Sequence, residues 1–333
     1  MADLKSGSGR YGMSKAPSFT HGLVLPRLRV QNANAISSPM THGFPSITAF
    51  MGFMWAIGRK LCQAGIEDVF FESVGVVCHD YQEMVGGSGF RKVFGLTRNP
   101  LTKNGSTAPI IEEGRIHLDI SLVFGVTCQR WRTGSTETFK KDLETIRDIV
   151  AQMRCAGGSI MAPRGSHAIS PMPWIFDAPV DEDDHVYQRL RYRLMPGFAL
   201  IDRQDVLTSR LERLRTTSPD ATLMDAWLSV CRSEWKWMPD KHDGDPEKGE
   251  WKSEKSPGWL VPITVGYAGL VPVSPAGTVE GARQSDVPFQ FAEALYSIGE
   301  WIGPHRLSSP SSLLWHVEND PEKGLYRCRN NAA

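Results

Sequence analysis

The sequence has no long apolar run. Its longest strongly apolar stretch, residues 47–58, falls far short of the ~20 residues that a membrane-spanning helix needs. The opening residues carry no secretory pattern, so a cytoplasmic protein without membrane association is expected. Cysteine is sparse: Cys62, Cys78, Cys128, Cys155, Cys231 and Cys328 are scattered, with no C-x-x-C pair and no histidines at zinc spacing. That argues against a zinc site and a disulfide scaffold, and leaves reduced structural thiols. No charge of one sign dominates, since Lys plus Arg and Asp plus Glu both number 37. The chain as a whole therefore exerts no net pull on nucleic acid. Catalytic signatures are absent too. There is no G-x-x-x-x-G-K-[ST] to wrap a phosphate, no G-x-S-x-G elbow and no H-E-x-x-H. His242 and Asp243 adjoin, but in a charged loop that offers little fixed geometry for a metal or for catalysis.

What is present is uneven. Up to Lys60, seven basic residues (Lys5, Arg10, Lys15, Arg27, Arg29, Arg59 and Lys60) stand against Asp3 alone. Residues 91–117 carry five against Glu112 and Glu113, and residues 189–215 carry seven against three acids. Such patches attract phosphate, or they are solvated faces balanced in space by the acidic stretches 181–184 and 240–254. Both accounts are open on charge alone.

The hydrophobic pattern predicts a folded α+β core. Around 22–35, Leu28 and Val30 alternate with Arg27, Arg29 and Gln31, the two-residue period of a strand. After the polar loop 32–43, Pro45 opens a helix with apolar residues at Ile47, Phe50, Met51, Met54, Ile57 and Leu61, ended by Gly65. A second strand spans about 69–78. A third alternates Ile116, Leu118, Ile120, Leu122 and Phe124 with polar residues. Phe139, Leu143, Ile146, Val150 and Met153 mark an amphipathic helix, and 159–162 suits a fourth strand. The order strand, helix, strand, strand, helix, strand is the ferredoxin-like (RRM-type) pattern: an antiparallel sheet with both helices on one face and the other face free for RNA. Beyond it, 163–178 reads as a loop, and 204–214 and 219–231 as helices, the latter capped by Ser218. Residues 240–256 read as a polar loop, 259–273 as extended and 289–301 as a helix. The expected organisation is a leader over 1–20, a ferredoxin-like core over 21–162 with a thumb at about 86–114, a mainly helical insertion over 163–256, and a C-terminal part over 257–333 that returns to the core.

Gln31, Asn32, Asn34, Ser37 and Ser38, flanked by Arg27, Arg29 and His42, form a cluster dense in amides and hydroxyls. It suits hydrogen bonds to base edges and phosphates. An Asx-type turn, in which these side chains cap their own backbone, explains the Asn and Ser but not the arginines. The enzymatic rival is a metal-independent RNA endonuclease, using His42, His79, His117, His305 or Tyr81 as general base and acid. Nothing in the sequence pairs two of them.

The runs LPRLRVQNANAISSP (25–39) and GFPSITAFMGF (43–53) resemble the second Csy subunit of type I-F CRISPR systems, a Cas-five-type family. So do VGVVCH from Val74, VFGLTRNPLTKNGSTAPIIEEGRIHLDISL from Val93 and MRCAGGSI from Met153. LMPGFAL from Leu194, LERLRTT from Leu211, PGWLVPI from Pro257, GEWIGPHRL from Gly299 and KGLYR from Lys323 extend the resemblance over about 23–327. It implies a non-catalytic subunit of the RNA-guided surveillance complex, without metal or cofactor. That subunit clasps the 5′ handle of the CRISPR RNA, pairs with the large Csy subunit and abuts the repeating backbone subunit. Target DNA is reached through the assembled complex. Carried onto this chain, the resemblance implies RNA contacts from Arg27, Arg29, Gln31, Asn32, Asn34, Ser37 and Ser38. His42 stands where it implies an aromatic ring, and can stack or hydrogen-bond. Residues 91–114 would form a thumb crossing the RNA, with Arg91, Lys92, Arg98, Asn99 and Lys103 on phosphates. His305 and Arg306 are further candidates.

Overall fold

The computed structural model describes residues 17–87, 89–98, 101–162, 172–178, 185–233, 235–239, 249–253 and 257–330. The protein is α+β, built on a large antiparallel sheet. Strand β1 (His21–Asn34) leads through a tight hairpin, β2 (Ile36–Ser38) and β3 (Thr41–His42), into helix α1 (Ile47–Gln63). Ser46, one residue later than Pro45, starts that helix: its hydroxyl accepts from the Thr48 amide. Strand β4 (Val69–Glu83) runs up to an excursion of short strands: β5 (Val85–Gly86), β6 (Val93–Phe94), β7 (Leu96–Arg98) and β8 (Ile110–Glu112). The chain returns in β9 (Arg115–Cys128), turns through α2 (Gln129–Thr133) into α3 (Thr136–Ala151), and closes this part with β10 (Arg154–Cys155) and β11 (Gly158–Met161).

Taken as first to fourth along the chain, β1, β4, β9 and β11 stand side by side in the order fourth, first, third, second, all antiparallel to their neighbours. The two-residue period sorts their faces. Leu23, Leu25, Val30, Val76, Leu118, Ile120, Leu122 and Phe124 pack with Phe50, Met54 and Ile57 of α1 and Leu143, Ile146 and Val150 of α3. Each such side chain contributes about 1.5–3 kcal/mol on burial.

The rest of the chain extends the sheet. Strand β12 (Trp174–Asp177) pairs with the start of β1 and is followed by helix α4 (His185–Arg193). Strand β13 (Phe198–Asp202) precedes α5 (Gln204–Arg215) and α6 (Leu223–Cys231). A hairpin of β14 (Trp235–Pro239) and β15 (Gly249–Ser253) leads to β16 (Leu260–Gly269), β17 (Ala292–Ile302), the one-turn helix α7 (Pro310–Leu313), β18 (Trp315–Asp320) and β19 (Leu325–Asn330). The order continues β4, β13, β17, β16, β19, β18, and β18 pairs back to β4 at Trp315 and Val74, which closes a ring of strands. Trp315 is fully buried and its indole N–H donates to the Leu200 carbonyl at 2.9 Å, fastening β18 to β13. Helix α1 packs against β16 and β18 as well as β4, which is why its apolar residues are spread widely around its circumference.

Several expectations are corrected. The helix expected over 289–301 is strand β17. Towards its end it is covered by the main core on one face and by α5 and α6 on the other, so its side chains lack the alternation that marks a half-exposed strand. Helix α6 is capped by Thr222, not Ser218: the Thr222 hydroxyl accepts from the Asp225 amide at 3.2 Å, and the Asp225 carboxylate accepts from the Thr222 amide at 2.8 Å. Within 163–178, residues 174–177 are the strand β12, and 163–171 lie outside the described residues. Within 240–256, residues 249–253 pair with β14, and 240–248 lie outside the described residues. The described residues of 163–256 hold the helices α4, α5 and α6, yet they also place β13 inside the main sheet.

The second sheet face is not left free of helices. Val24, Val77 and Val123 point to it and pack against Phe176, Tyr187, Leu190, Leu194 and Leu313. The approach is close at two glycines: a Cβ on Gly22 would lie 2.0 Å from the Phe176 ring, and one on Gly75 would lie 2.4 Å from Leu313. Helix α4 and α7 thus cover half of that face, and only the other half is open.

Candidate nucleic-acid interface

The open half of the sheet face is polar. Strand β1 contributes Arg27, Arg29 and Gln31, β9 contributes His117, Asp119 and Ser121, and β4 contributes His79 and Gln82, while Tyr81, paired with Leu118, stands at the β4 edge towards the other face. Register sets Arg29 opposite Asp119 on one side and Met161 on the other. Two irregularities in the β1–β9 ladder, after Leu25 and after Val30, put Arg27 and Asn32 at φ of 52° and 57°. These left-handed residues twist the strand and re-aim its side chains.

A hydrogen-bond chain fixes this surface from beneath. The Arg27 amide donates to Ser121 Oγ at 3.0 Å, Ser121 Oγ lies 2.7 Å from His79 Nε2, and His79 Nδ1 lies 2.6 Å from the Pro196 carbonyl. A carbonyl only accepts, so Nδ1 carries the proton and Nε2 accepts from the serine hydroxyl. Burial depresses the His79 pKa, opposed by the bond to Pro196. His79 is therefore a neutral, doubly engaged strut. The Arg27 guanidinium lies 3.4 Å from Asp119 Oδ2. Asp119 Oδ1 is buried and takes no hydrogen bond among the described residues. Arg29 donates to the Ala162 carbonyl at 3.0 Å and keeps further donors of its planar fork available. His117 Nδ1 accepts from the Asn32 amide at 3.1 Å, while Tyr81 is 55% exposed and offers its ring to solvent. Arg29, Gln31, Tyr81, Gln82, His117 and Asp119 line one continuous groove. A neighbouring groove is lined by Gln31, Asn32, Arg115 and Arg154 at the strand ends.

The turn after β1 resolves part of the ambiguity in the sequence. Asn34 donates from Nδ2 to the Ile36 carbonyl at 2.7 Å and accepts from the Ile36 amide at 3.2 Å. Ser38 Oγ accepts from the Met40 and Thr41 amides at 3.1 and 3.0 Å, and Ser37 Oγ lies 2.7 Å from Thr41 Oγ1. These three side chains close their own turn, whereas Gln31 and Asn32 are exposed beside the arginines. His42 lies 3.7 Å from Glu83 and edge-on to Phe94, with ring centroids 5.8 Å apart. It braces the root of the excursion.

That excursion consists of two short ladders, β5 with β6 and β7 with β8. Arg91, Lys92 and Lys103 are exposed on it. The backbone of Arg98 pairs with Ile110. Asn99 and the side chain of Arg98 lie outside the described residues. Phe90, Val93, Leu96, Leu101 and Ile110 are exposed along it. His305 and Arg306 follow a strand, not a helix, in a single turn that packs on α4. The His305 carbonyl accepts from the Arg191 guanidinium, which places the pair apart from the groove residues.

Tyr81 and His117 were weighed in the sequence only as parts of a nuclease, and the structure adds them to the lining of the groove that holds Arg29. The signal for His117 was alternation, a polar residue between the core residues Ile116 and Leu118, whereas Tyr81 lies between the exposed Asp80 and Gln82 and carried no such signal. Among the described residues no three of His, Cys, Asp and Glu gather as metal ligands. Burial pushes the thiols of Cys78, Cys155 and Cys328 up to about 12, so they are not thiolates at neutral pH. No helix among the described residues is long and apolar enough to cross a membrane.

The model of a protein family described as CRISPR-associated protein (Cas_Csy2) matches residues 23–328. Over 323 residues, 92% of this chain and 94% of the relative, the sequence is 42% identical to the CRISPR-associated protein Csy2 of Pseudomonas aeruginosa strain UCBPP-PA14.

Proposed function

The chain belongs to the Csy2 family of type I-F CRISPR-associated proteins, and from that premise we propose that it is a non-catalytic RNA-binding subunit of the surveillance complex. It clasps the 5′ handle of the CRISPR RNA, pairs with the large Csy subunit and adjoins the terminal backbone subunit. Target DNA is engaged only by the whole assembly, in the cytoplasm. The observation that carries this reading is the open half of the sheet face, where Arg27, Arg29, Gln31 and His117 stand together above a packed core, with Tyr81 exposed at the neighbouring edge of β4. Arginines supply phosphate contacts, and Tyr81 and His117 supply rings and edges for unstacked bases.

The order of β11, β1, β9 and β4, with α1 and α3 on one face, supports a ferredoxin-like, RRM-type core over 21–162. Within that reading, 86–114 is a thumb whose exposed apolar residues meet a partner protein while Arg91, Lys92, Arg98, Asn99 and Lys103 follow RNA phosphates. Residues 163–256 are the insertion, 257–333 return to the core, and 1–20 are a leader.

The endonuclease reading is disfavoured by His79, whose two ring nitrogens are both engaged within the protein, and by His117, which spends Nδ1 on a backbone amide. Co-expression with the neighbouring Csy genes and a CRISPR array, with purification through this subunit, tests the proposal. Mature CRISPR RNA with the large and backbone subunits is the expected yield. Recovery of folded protein with neither RNA nor partners would overturn it, as would cleavage of repeat RNA by the purified chain in the absence of metal.

A further inference from the structure

The ring of strands has a mouth. Above the N-terminus of α1, a cavity of about 340 Å³ opens between the end of β4, β13, β16 and β17. Phe44, Phe198, Trp259 and Trp301 form an aromatic wall. Phe44 meets Trp301 edge-on at 4.8 Å, Trp301 and Trp259 are 6.5 Å apart, and Trp259 meets Phe198 edge-on at 5.1 Å. His42 and Tyr81 complete the lining. Asp80 and Glu83 are the only charged side chains of fixed sign among the described lining residues; no Lys or Arg lines it. The groove of the open half-face borders this cavity directly, because Asp80 and Tyr81 line both.

We propose that this cavity receives a single unstacked nucleobase bearing an exocyclic amine, drawn from the same RNA strand whose backbone lies along the neighbouring groove. The inference rests on the handle-binding reading. Three features select this occupant. The volume suits one flat ring system, being close to the lower end of about 300–1,000 Å³ for ligand pockets. Edge-to-face rings that leave faces open stack on any base. The distribution of charge sorts the nucleotide: carboxylates repel phosphate and accept from amino groups, whereas Arg29 lines the groove outside, where the phosphates lie. Uracil has no exocyclic amine, and its single N3–H donor is flanked by two carbonyls whose oxygens meet the carboxylates unfavourably.

The test uses the assembled complex. CRISPR RNAs with one abasic nucleotide at each successive handle position, and with uracil placed at each position in turn, compete for binding to wild type and to Trp259→Ala and Phe198→Ala. Trp259 and Phe198 are 46% and 45% exposed, so both truncations leave the core intact. At one handle position the abasic RNA binds about tenfold more weakly to wild type, and Trp259→Ala loses about as much with no further loss from the abasic site. Uracil at that position also weakens binding. If no position couples to Trp259→Ala while Arg27→Ala with Arg29→Ala still releases RNA, the cavity inference fails and handle binding stands. If the arginine changes have no effect either, the reading beneath it fails too. Loss of a partner protein from Trp259→Ala with RNA retained would mean that a protein side chain fills the cavity. Uracil accepted as readily as the other bases would equally overturn the proposal.

Discussion

Arg27 and Asp119 face each other across β1 and β9 with guanidinium and carboxylate 3.4 Å apart, each about one-third exposed. The pair is worth less than about 1 kcal/mol to the fold, because water screens it. Its larger consequence is electrostatic: in the free protein, Asp119 offsets a charge that RNA would otherwise meet. Asp119→Asn should tighten RNA binding severalfold at low salt while changing stability by under about 1 kcal/mol. Arg27→Ala should weaken binding and reduce the salt slope by about one. Competition binding at several salt concentrations checks both.

The buried histidines predict a pH dependence. Burial lowers the pKa of His79, His21 and His316 in the folded state. The unfolded chain then binds more protons near its ordinary value of about 6.5, so their contribution is fully present above that value and is lost as pH falls below it. The melting temperature should be lower at pH 5.5 than at pH 7.5. Glu72 and Asp202, raised by burial, act in the opposite direction. His79→Gln isolates the histidine part, since it should flatten the fall without reversing it.

Trp315 closes the strand ring. Trp315→Phe keeps most of the packing but leaves the Leu200 carbonyl without its donor, at a cost of about 1–3 kcal/mol. Trp315→Ala should cost about 3–5 kcal/mol. Urea denaturation measures both, and near-identical midpoints would show that the ring closes without this residue.

The excursion between β4 and β9 should be separable from the fold. Those strands pair as far as Glu83 and Ile116, and the Met84 amide donates to the Arg115 carbonyl at 2.8 Å, which closes the root of the excursion. Replacing 87–113 with a short Gly-Ser link should leave the melting temperature within a few degrees. It should lower recovery of RNA and backbone subunit in the purified complex.

Much of the first half of the fold was legible because its signals are local. Leu28 and Val30 against Arg29 and Gln31, and Ile116 to Phe124 against His117 and Asp119, declare strand faces by alternation, and the spacing from Phe139 to Val150 declares α3. Strand β17 was not legible, because Ser297, Ile298, Gly299 and Glu300 are buried on successive faces, which requires the main core on one face and α5 and α6 on the other. Nor could the sequence show that Tyr187 and Leu190 cover Val24 and Val123, since those pairs are far apart in the chain. At the site, the arginines of β1 were readable from their register. The engagement of Asn34, Ser37 and Ser38 in their own turn was one of two open readings until the hydrogen bonds were seen. The aromatic cavity draws Phe44, Phe198, Trp259 and Trp301 from four separate segments, and no spacing rule joins them.

The most direct measurement of the central claim is ultraviolet crosslinking of the assembled complex on CRISPR RNA carrying photoreactive nucleotides in the 5′ handle, followed by mass spectrometry of this subunit. Crosslinks from handle positions to peptides containing residues 27–32, Tyr81 and His117 are predicted. Handle crosslinks that fall only on other subunits, or only on α5 and α6 of this one, would contradict it.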